Sequence, residues 1–222
     1  MQVDVDLHGS QIAVMNDRKR FNVVRCGRRW GKSTLAFALA LESMISIPNA
    51  KVLYTAPSNE ELKGRYQEAK QMFSALGAEC KEGEIRLGDS VLNLRGIWRA
   101  DALRGNKYHR LIADEWAYCE NAEDDWNFVL RPMLTDFKGD AYFFSTPKGK
   151  NHFHELDMMQ NRFEDWQSFH FTTYDSRFID KKEVDEQKEV LPSIVFAQER
   201  SEEHTPELQS PCNLVCRLLL EK

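Results

Sequence analysis

An α/β fold with a mostly parallel central sheet is what this sequence predicts, and three observations predict it. An apolar, β-rich segment at residues 21–26 runs through a glycine-containing turn, CGRRWGKST, into a helical apolar pattern beginning near Leu35. Further short apolar runs at 50–56, 111–113 and 141–144 are separated by longer segments with helical period, as parallel strands joined by crossovers require. The run at 111–113 ends in two adjacent acids, Asp114 and Glu115.

A chain of 222 residues is long enough for one full α/β domain with its own core. We assign residues 1–199 to that domain and treat 200–222 separately. Hydrophobic residues make up 42% and charged residues 29%, the balance of a soluble globular protein, and no apolar run is long enough to span a bilayer. Residues 1–8 alternate Val and Asp without a basic region or apolar block, so no signal peptide is expected. The formal net charge of −5 gives no global nucleic-acid signature, so a DNA partner has to meet a local basic patch. Cys26, Cys80, Cys119, Cys212 and Cys216 follow neither a disulfide framework nor paired zinc spacing, which favours a reducing compartment.

The turn after the first strand matches the phosphate-loop pattern GxxxxGK[ST] with one mismatch, Cys26 at the first Gly position. A compact turn here points backbone N–H groups at phosphate oxygens, and the positive end of the following helix adds to the attraction. Gly27 and Gly31 keep side chains out of the turn formed with Arg28, Arg29, Trp30 and Thr34. Lys32 is placed to reach β- and γ-phosphates, and the Ser33 hydroxyl to hold Mg²⁺. The plain alternative is a turn that only joins strand to helix.

Upstream, Gln11 sits in a short helical stretch; its amide both donates and accepts, so it can pair with the adenine N6 and N7 edge, the alternative being a solvated surface glutamine. After the first long helix ends near Pro48, residues 50–58 read as a buried strand ending at a turn, and Ser58 with Glu61 has capping-box spacing for the next helix. That helix carries Lys63, Arg65 and Lys70 among glutamates, which reads as a solvated face. Residues 84–98 read as a β-hairpin, and the arginine-rich segment after it as a loop able to offer Arg99, Arg104 or Lys107 to an anion, or simply to connect.

Asp114, at a strand end, is placed to hold Mg²⁺ through its water shell, and Glu115 to orient and deprotonate an attacking water. A helix is expected over 124–134 and a strand over 141–144. Ser145 and Thr146 follow that strand, at the edge where open parallel sheets place ligands. His152 and His154, two residues apart, do not share a helix face and read as structural. A strand over 164–174 and a helix over 180–190 complete the pattern.

The GRRWGKS loop, the TAPS strand end, the LRG loop, ADEWA and the STPKGKNHF segment together resemble the ATPase domain of the large terminase subunit of tailed bacteriophages, over residues 11–199. The resemblance implies a P-loop NTPase of ASCE/RecA-like type, a three-layer sandwich with a mostly parallel sheet plus a β-hairpin. It implies ATP and Mg²⁺ as cofactors and movement of double-stranded DNA into a capsid. Its implied partners are DNA, a portal protein, a small terminase subunit and further copies in a ring, in the host bacterial cytoplasm at the procapsid portal and away from membranes. Carried onto these positions, it makes Gln11 an adenine contact, Lys32 and Ser33 the phosphate and Mg²⁺ contacts, Asp114 the second Mg²⁺ anchor and Glu115 the catalytic base. Arg28, with Arg29 as competitor, takes the place of a charge-stabilising finger. Ser145 and Thr146 fall on the family's coupling motif, and Arg104 on either a neighbour-facing finger or a DNA contact.

Family members carry a nuclease domain after the ATPase domain; no carboxylate cluster of that type follows Glu199, so nuclease activity is not expected from this chain. Residues 200–222 resemble a translated sequencing adapter and are set aside from fold reasoning, the alternative being an amphipathic helix on Leu214, Leu218, Leu219 and Leu220. Two other functions remain open on sequence grounds: a helicase-like ATPase acting on nucleic acid, and a nucleotide-binding module without turnover.

Overall fold

The computed structural model describes residues 5–176 and 179–190. The segment 194–198 and the tail 200–222 lie outside them. Eight strands form one sheet: β1 (Phe21–Cys26), β2 (Lys51–Ala56), β3 (Glu79–Lys81), β4 (Glu84–Leu87), β5 (Ser90–Gly96), β6 (Arg110–Ala113), β7 (Asp140–Ser145) and β8 (Trp166–Phe171). Their spatial order is β3-β4-β5-β2-β6-β7-β1-β8. The β3, β4 and β5 neighbours pair antiparallel, and every pairing from β5 to β8 is parallel.

Alternation along the strands makes two cores, one on each face, because successive side chains in a strand point to opposite sides. Val24, Val52, Tyr54, Ile112, Tyr142 and Phe144 face one way. They pack beneath α1 (Gly9–Asp17), α2 (Lys32–Ser46) and α3 (Asn59–Ser74). Phe21, Val23, Leu53, Leu111, Ala141 and Phe143 face the other way, under the 3₁₀ segment Ile97–Leu103 and the helices that follow β6. Phe143 is fully buried, with its ring 4.9 Å from Trp126 and 5.2 Å from Trp116. Truncating such a side chain to alanine costs about 3–5 kcal/mol. The result is the three-layer sandwich with a hairpin at one edge.

Within α2, Leu35, Leu39 and Ala36, Ala40 repeat at the four-residue interval and are all buried, which is why this stretch is helical and where it docks. The helix begins at Lys32, three residues earlier than the apolar period suggests, directly after the left-handed Gly31 that ends the glycine-containing turn. The Ser58–Glu61 capping box at the start of α3 is present as expected, with Glu61 N–H donating to Ser58 Oγ at 3.2 Å.

Four local expectations are corrected. A short β3 extends the hairpin; three residues carry too little alternation to be read from sequence. The arginine-rich segment after β5 is a loop only in its second half, residues 104–109; its first half belongs to the 3₁₀ stretch, with Ile97, Ala100 and Leu103 buried. The strand near 164–174 is confined to β8. The helix expected over 124–134 begins earlier and is interrupted: α4 (Ala122–Asp125), a π-helical turn (Trp126–Leu130) and α5 (Arg131–Met133). Pro132 explains the interruption, since it has no N–H to donate and its ring crowds the carbonyl four residues back. That carbonyl belongs to Phe128, and it accepts instead from Arg104 Nη1 at 3.1 Å. Beyond lie α6 (His152–Met158) and α7 (Lys181–Val190).

Candidate functional site: a phosphate cradle facing an acid pair

Parallel strands gather their C-terminal ends at one edge, and here β1, β6 and β7 end together. β7 lies between β1 and β6, with Arg25 paired to Ser145 and Ala113 to Phe143. The turn after β1 and the acids after β6 therefore flank the end of β7.

The turn is built by its glycines. Cys26 is the last, fully buried residue of β1, so the mismatched position belongs to the strand and leaves the turn itself to start at Gly27. Gly31 sits at φ 107°, a left-handed conformation, and a Cβ there would lie 2.6 Å from the Gln11 side-chain nitrogen. Both facts demand glycine. Helix α2 starts directly after it with no side-chain cap and no acid in its first turn, which leaves the helix N-terminus suited to an anion. Arg28 and Arg29 are exposed at the tip, Arg29 itself left-handed at φ 61°. Thr34 is exposed and Ser33 half-buried.

The turn is held from two sides. Gln11 is fully buried rather than solvated; its Nε2 donates to Gly31 O at 2.9 Å while its Oε1 accepts from His8 N–H at 3.0 Å. On the other side, Gly27 N–H donates to Phe171 O at 3.2 Å. The 3₁₀ turn Thr173–Asp175 follows β8, and Thr173 Oγ1 donates to Arg28 O at 3.4 Å and Ser176 Oγ to Arg29 O at 3.0 Å. Trp30 is fully buried and stacks on Phe171 at 5.0 Å, its indole N–H donating to Ser10 Oγ at 3.1 Å. Its side chain is thus a packing anchor for the turn.

At the end of the turn, Lys32 is buried at 9% exposure and its Nζ lies 3.3 Å from Glu115 Oε1. Glu115 has φ 47° and ψ 44°, a strained conformation for a residue with a Cβ, of the kind functional sites retain. Ser145 Oγ lies 3.3 Å from Glu115 Oε2 and accepts the Ala117 N–H at 3.2 Å, so the β7 hydroxyl touches the catalytic candidate directly. Thr146 Oγ1 meets Tyr118 OH at 3.4 Å.

Asp114 is 3% exposed. Its Oδ2 accepts from Tyr54 OH at 2.6 Å and from Arg65 Nε at 2.7 Å, and its Oδ1 from the Glu115 N–H at 3.1 Å. Burial, reinforced by the neighbouring Asp114 charge, pushes the Tyr54 hydroxyl well above its ordinary range, which keeps it a donor. Burial works against the Arg65 charge, but Asp114, Tyr54 and Glu68 together outweigh it and raise the guanidinium further. Arg65 therefore corrects the reading of α3 as a merely solvated basic face. A hydrophobic pattern could not reveal this, because the partner lies 49 residues away.

The remaining candidates lie elsewhere. Arg104 is exposed, with Nε 2.7 Å from Asp101 Oδ1 as well as its contact to Phe128 O; Lys107 pairs with Asp136. His152 Nδ1 accepts the Trp116 indole N–H at 3.2 Å, a packing role. Among the described residues no group of three or more His, Cys, Asp or Glu is arranged to hold a metal ion, and no helix is long and apolar enough to cross a membrane.

Residues 24–201 match the family model described as terminase large subunit, T4likevirus-type, N-terminal. The large terminase subunit of Escherichia phage T5 is 30% identical over 210 residues, covering 89% of this chain and 48% of that protein. The chain thus spans about half the length of the curated relatives it matches. Among solved structures, the Thermus phage P74-26 large terminase ATPase domain is similar with a TM-score of 0.78 at 21% identity, covering 90% of this chain and 94% of that one. The large terminase of the thermophilic bacteriophage D6E in complex with ADP is similar with a TM-score of 0.71 at 13% identity, covering 90% and 54%. These likenesses show the α/β fold of the large terminase structures, and the chain belongs to the terminase large subunit family, matching its N-terminal part.

Proposed function

We propose that this chain binds ATP with Mg²⁺ and hydrolyses it by in-line attack of water, as the motor part of a DNA-packaging terminase. The observation that carries the reading is the meeting of Lys32 and Glu115 across 3.3 Å, from opposite sides of β7. A buried lysine at an uncapped helix N-terminus provides for phosphate, and a strand-end acid held in a strained turn provides for water. The two sets of residues fit the cofactors: uncapped α2 amides and the Lys32 ammonium suit a polyphosphate, and the oxygen donors of Ser33 and Asp114 suit a hard divalent cation. When bound, Mg²⁺ supplies neutralisation of charge on the β- and γ-phosphates.

In this reading Lys32 with the amides of the turn through Thr34 holds the phosphates, and Arg28, or Arg29 beside it, stabilises charge on the transferred group. Glu115 takes the proton of the attacking water, and its contact with Lys32 gives way to one between Lys32 and phosphate. Gln11, whose amide holds the Gly31 carbonyl, is assigned to the adenine edge. Ser145, in contact with Glu115, and Thr146 report the state of the γ-phosphate to the rest of the sheet. Double-stranded DNA, a portal protein, a small terminase subunit and a ring of further copies are the proposed partners, in the host cytoplasm at the procapsid portal. Arg104, exposed on the opposite layer from α2, is assigned to the neighbouring subunit or to DNA. Residues 1–199 are proposed as the ATPase domain and 200–222 as a non-native tail.

Lys32→Ala tests the core of this reading. Titration with a fluorescent ATP analogue should show loss of binding with the fold retained by circular dichroism; undiminished binding would mean the turn does not cradle phosphate.

A further inference from the structure

The two oxygens of Asp114 meet different surroundings. Oδ2 accepts two hydrogen bonds, from Tyr54 OH at 2.6 Å and Arg65 Nε at 2.7 Å, whereas Oδ1 accepts one, from the Glu115 N–H at 3.1 Å. A carboxylate oxygen has about two acceptor sites, so Oδ2 is saturated and Oδ1 keeps one. Neither donor on Oδ2 is loose. Tyr54 is fully buried on β2, in register with Ile112 two residues before Asp114. Arg65 is anchored along α3, its Nη1 donating to both Glu68 oxygens at 3.0 and 3.1 Å.

The geometry points to Tyr54 and Arg65 as positioning residues for the metal-holding carboxylate: by occupying Oδ2 from two separate elements, they fix its plane and leave the remaining Oδ1 site for the cation or its water shell. This rests on the assignment of Asp114 to Mg²⁺ proposed above. The physical reason is that an unfixed carboxylate rotates about its Cβ–Cγ bond and must be ordered at the moment of binding. Partners that orient a metal ligand in this way typically change affinity about 10- to 100-fold when removed. Electrostatics alone predicts the opposite sign for Arg65, because a guanidinium beside the carboxylate weakens its pull on a second cation. Tyr54 carries no charge, so the pair of substitutions separates orientation from charge.

The test is the half-saturating Mg²⁺ concentration for binding a fluorescent ATP analogue to the whole chain, with binding in EDTA as a second readout and Asp114→Asn as reference. Tyr54→Phe and Arg65→Gln should each raise half-saturating Mg²⁺ about 10- to 100-fold and leave affinity in EDTA at the parent value. Arg65→Lys, which restores a donor, should recover part of the loss. Unchanged or lower half-saturating Mg²⁺ in both variants, while Asp114→Asn raises it, overturns the inference and spares the proposed function. An equal loss of affinity with and without Mg²⁺ also overturns it, since that is what general damage to the site produces. If Asp114→Asn itself leaves the Mg²⁺ requirement unchanged, the metal assignment fails and the inference falls with it.

Discussion

Lys32 Nζ lies 3.3 Å from Glu115 Oε1, across the end of the strand that separates their own strands in the sheet. A buried ammonium and a carboxylate at this distance satisfy each other until a more highly charged anion arrives. Polyphosphate binding should therefore exchange one partner of Lys32 for another and release Glu115 toward water.

Glu115→Gln keeps a hydrogen-bonding side chain of the same shape but removes the base. ATP binding should persist while turnover falls about 10²- to 10⁴-fold, the usual contribution of general-base catalysis. Single-turnover hydrolysis alongside equilibrium binding checks this; hydrolysis at the parent rate would remove Glu115 from the mechanism.

Arg28 and Arg29 present two guanidinium groups at the tip of the turn. Arg28→Ala should lower kcat about 10³- to 10⁵-fold, as loss of an arginine finger does in related NTPases, with a smaller fall for Arg29→Ala. The reverse order in steady-state kinetics would give the finger to Arg29.

Thr173 and Ser176 hold the carbonyls of Arg28 and Arg29, and are 0% and 4% exposed. Removing one neutral hydrogen bond costs about 0.5–1.5 kcal/mol. Ser176→Ala and Thr173→Val should each weaken nucleotide binding about 2- to 10-fold by loosening the turn, and Thr173→Ser should restore it. Nucleotide affinity equal to the parent in both variants would show that the turn keeps its shape unaided.

At the opposite edge of the sheet, Arg110 is buried at the start of β6 and donates to both Asp140 oxygens at 2.8 and 2.6 Å and to Glu42 Oε2 at 2.8 Å. Burial alone would raise Glu42, but hydrogen bonds from Arg110 and Arg18 outweigh it and hold the carboxyl below its ordinary 4.5. A group lowered on folding stabilises the fold above its unfolded value and loses that contribution as pH falls through its folded value. The thermal midpoint should therefore drop as pH is lowered below about 4.5, and Glu42→Gln should lower the midpoint at pH 7 while flattening the dependence in that window. Thermal melts across pH 3–7 make the comparison; a parallel pair of curves would exclude Glu42 as a contributor.

Much of this was legible in the chain itself. Alternating apolar residues placed the strands, the four-residue period of Leu35 and Leu39 placed α2, and the Ser58–Glu61 spacing placed the start of α3, because each signal is local and survives without knowledge of the fold. The same holds for the turn at Gly27–Lys32 and for the acids ending β6, whose order along the chain carried the family resemblance. Local pattern misread the segment after β5 and the start of the helix broken by Pro132, where burial against a distant layer outweighs arginine-rich composition.

What the tertiary structure alone decided is who meets whom. The order of strands puts β7, and with it Ser145, between the phosphate turn and the acid pair. The crossover through α3 brings Arg65 onto Asp114, and β8 carries Phe171 under Trp30, whose side chain thereby anchors the turn. Such contacts join residues far apart in sequence, and they depend on strand order, which neither spacing nor hydrophobic period encodes: a parallel strand with both faces buried looks the same from sequence wherever it lies in the sheet.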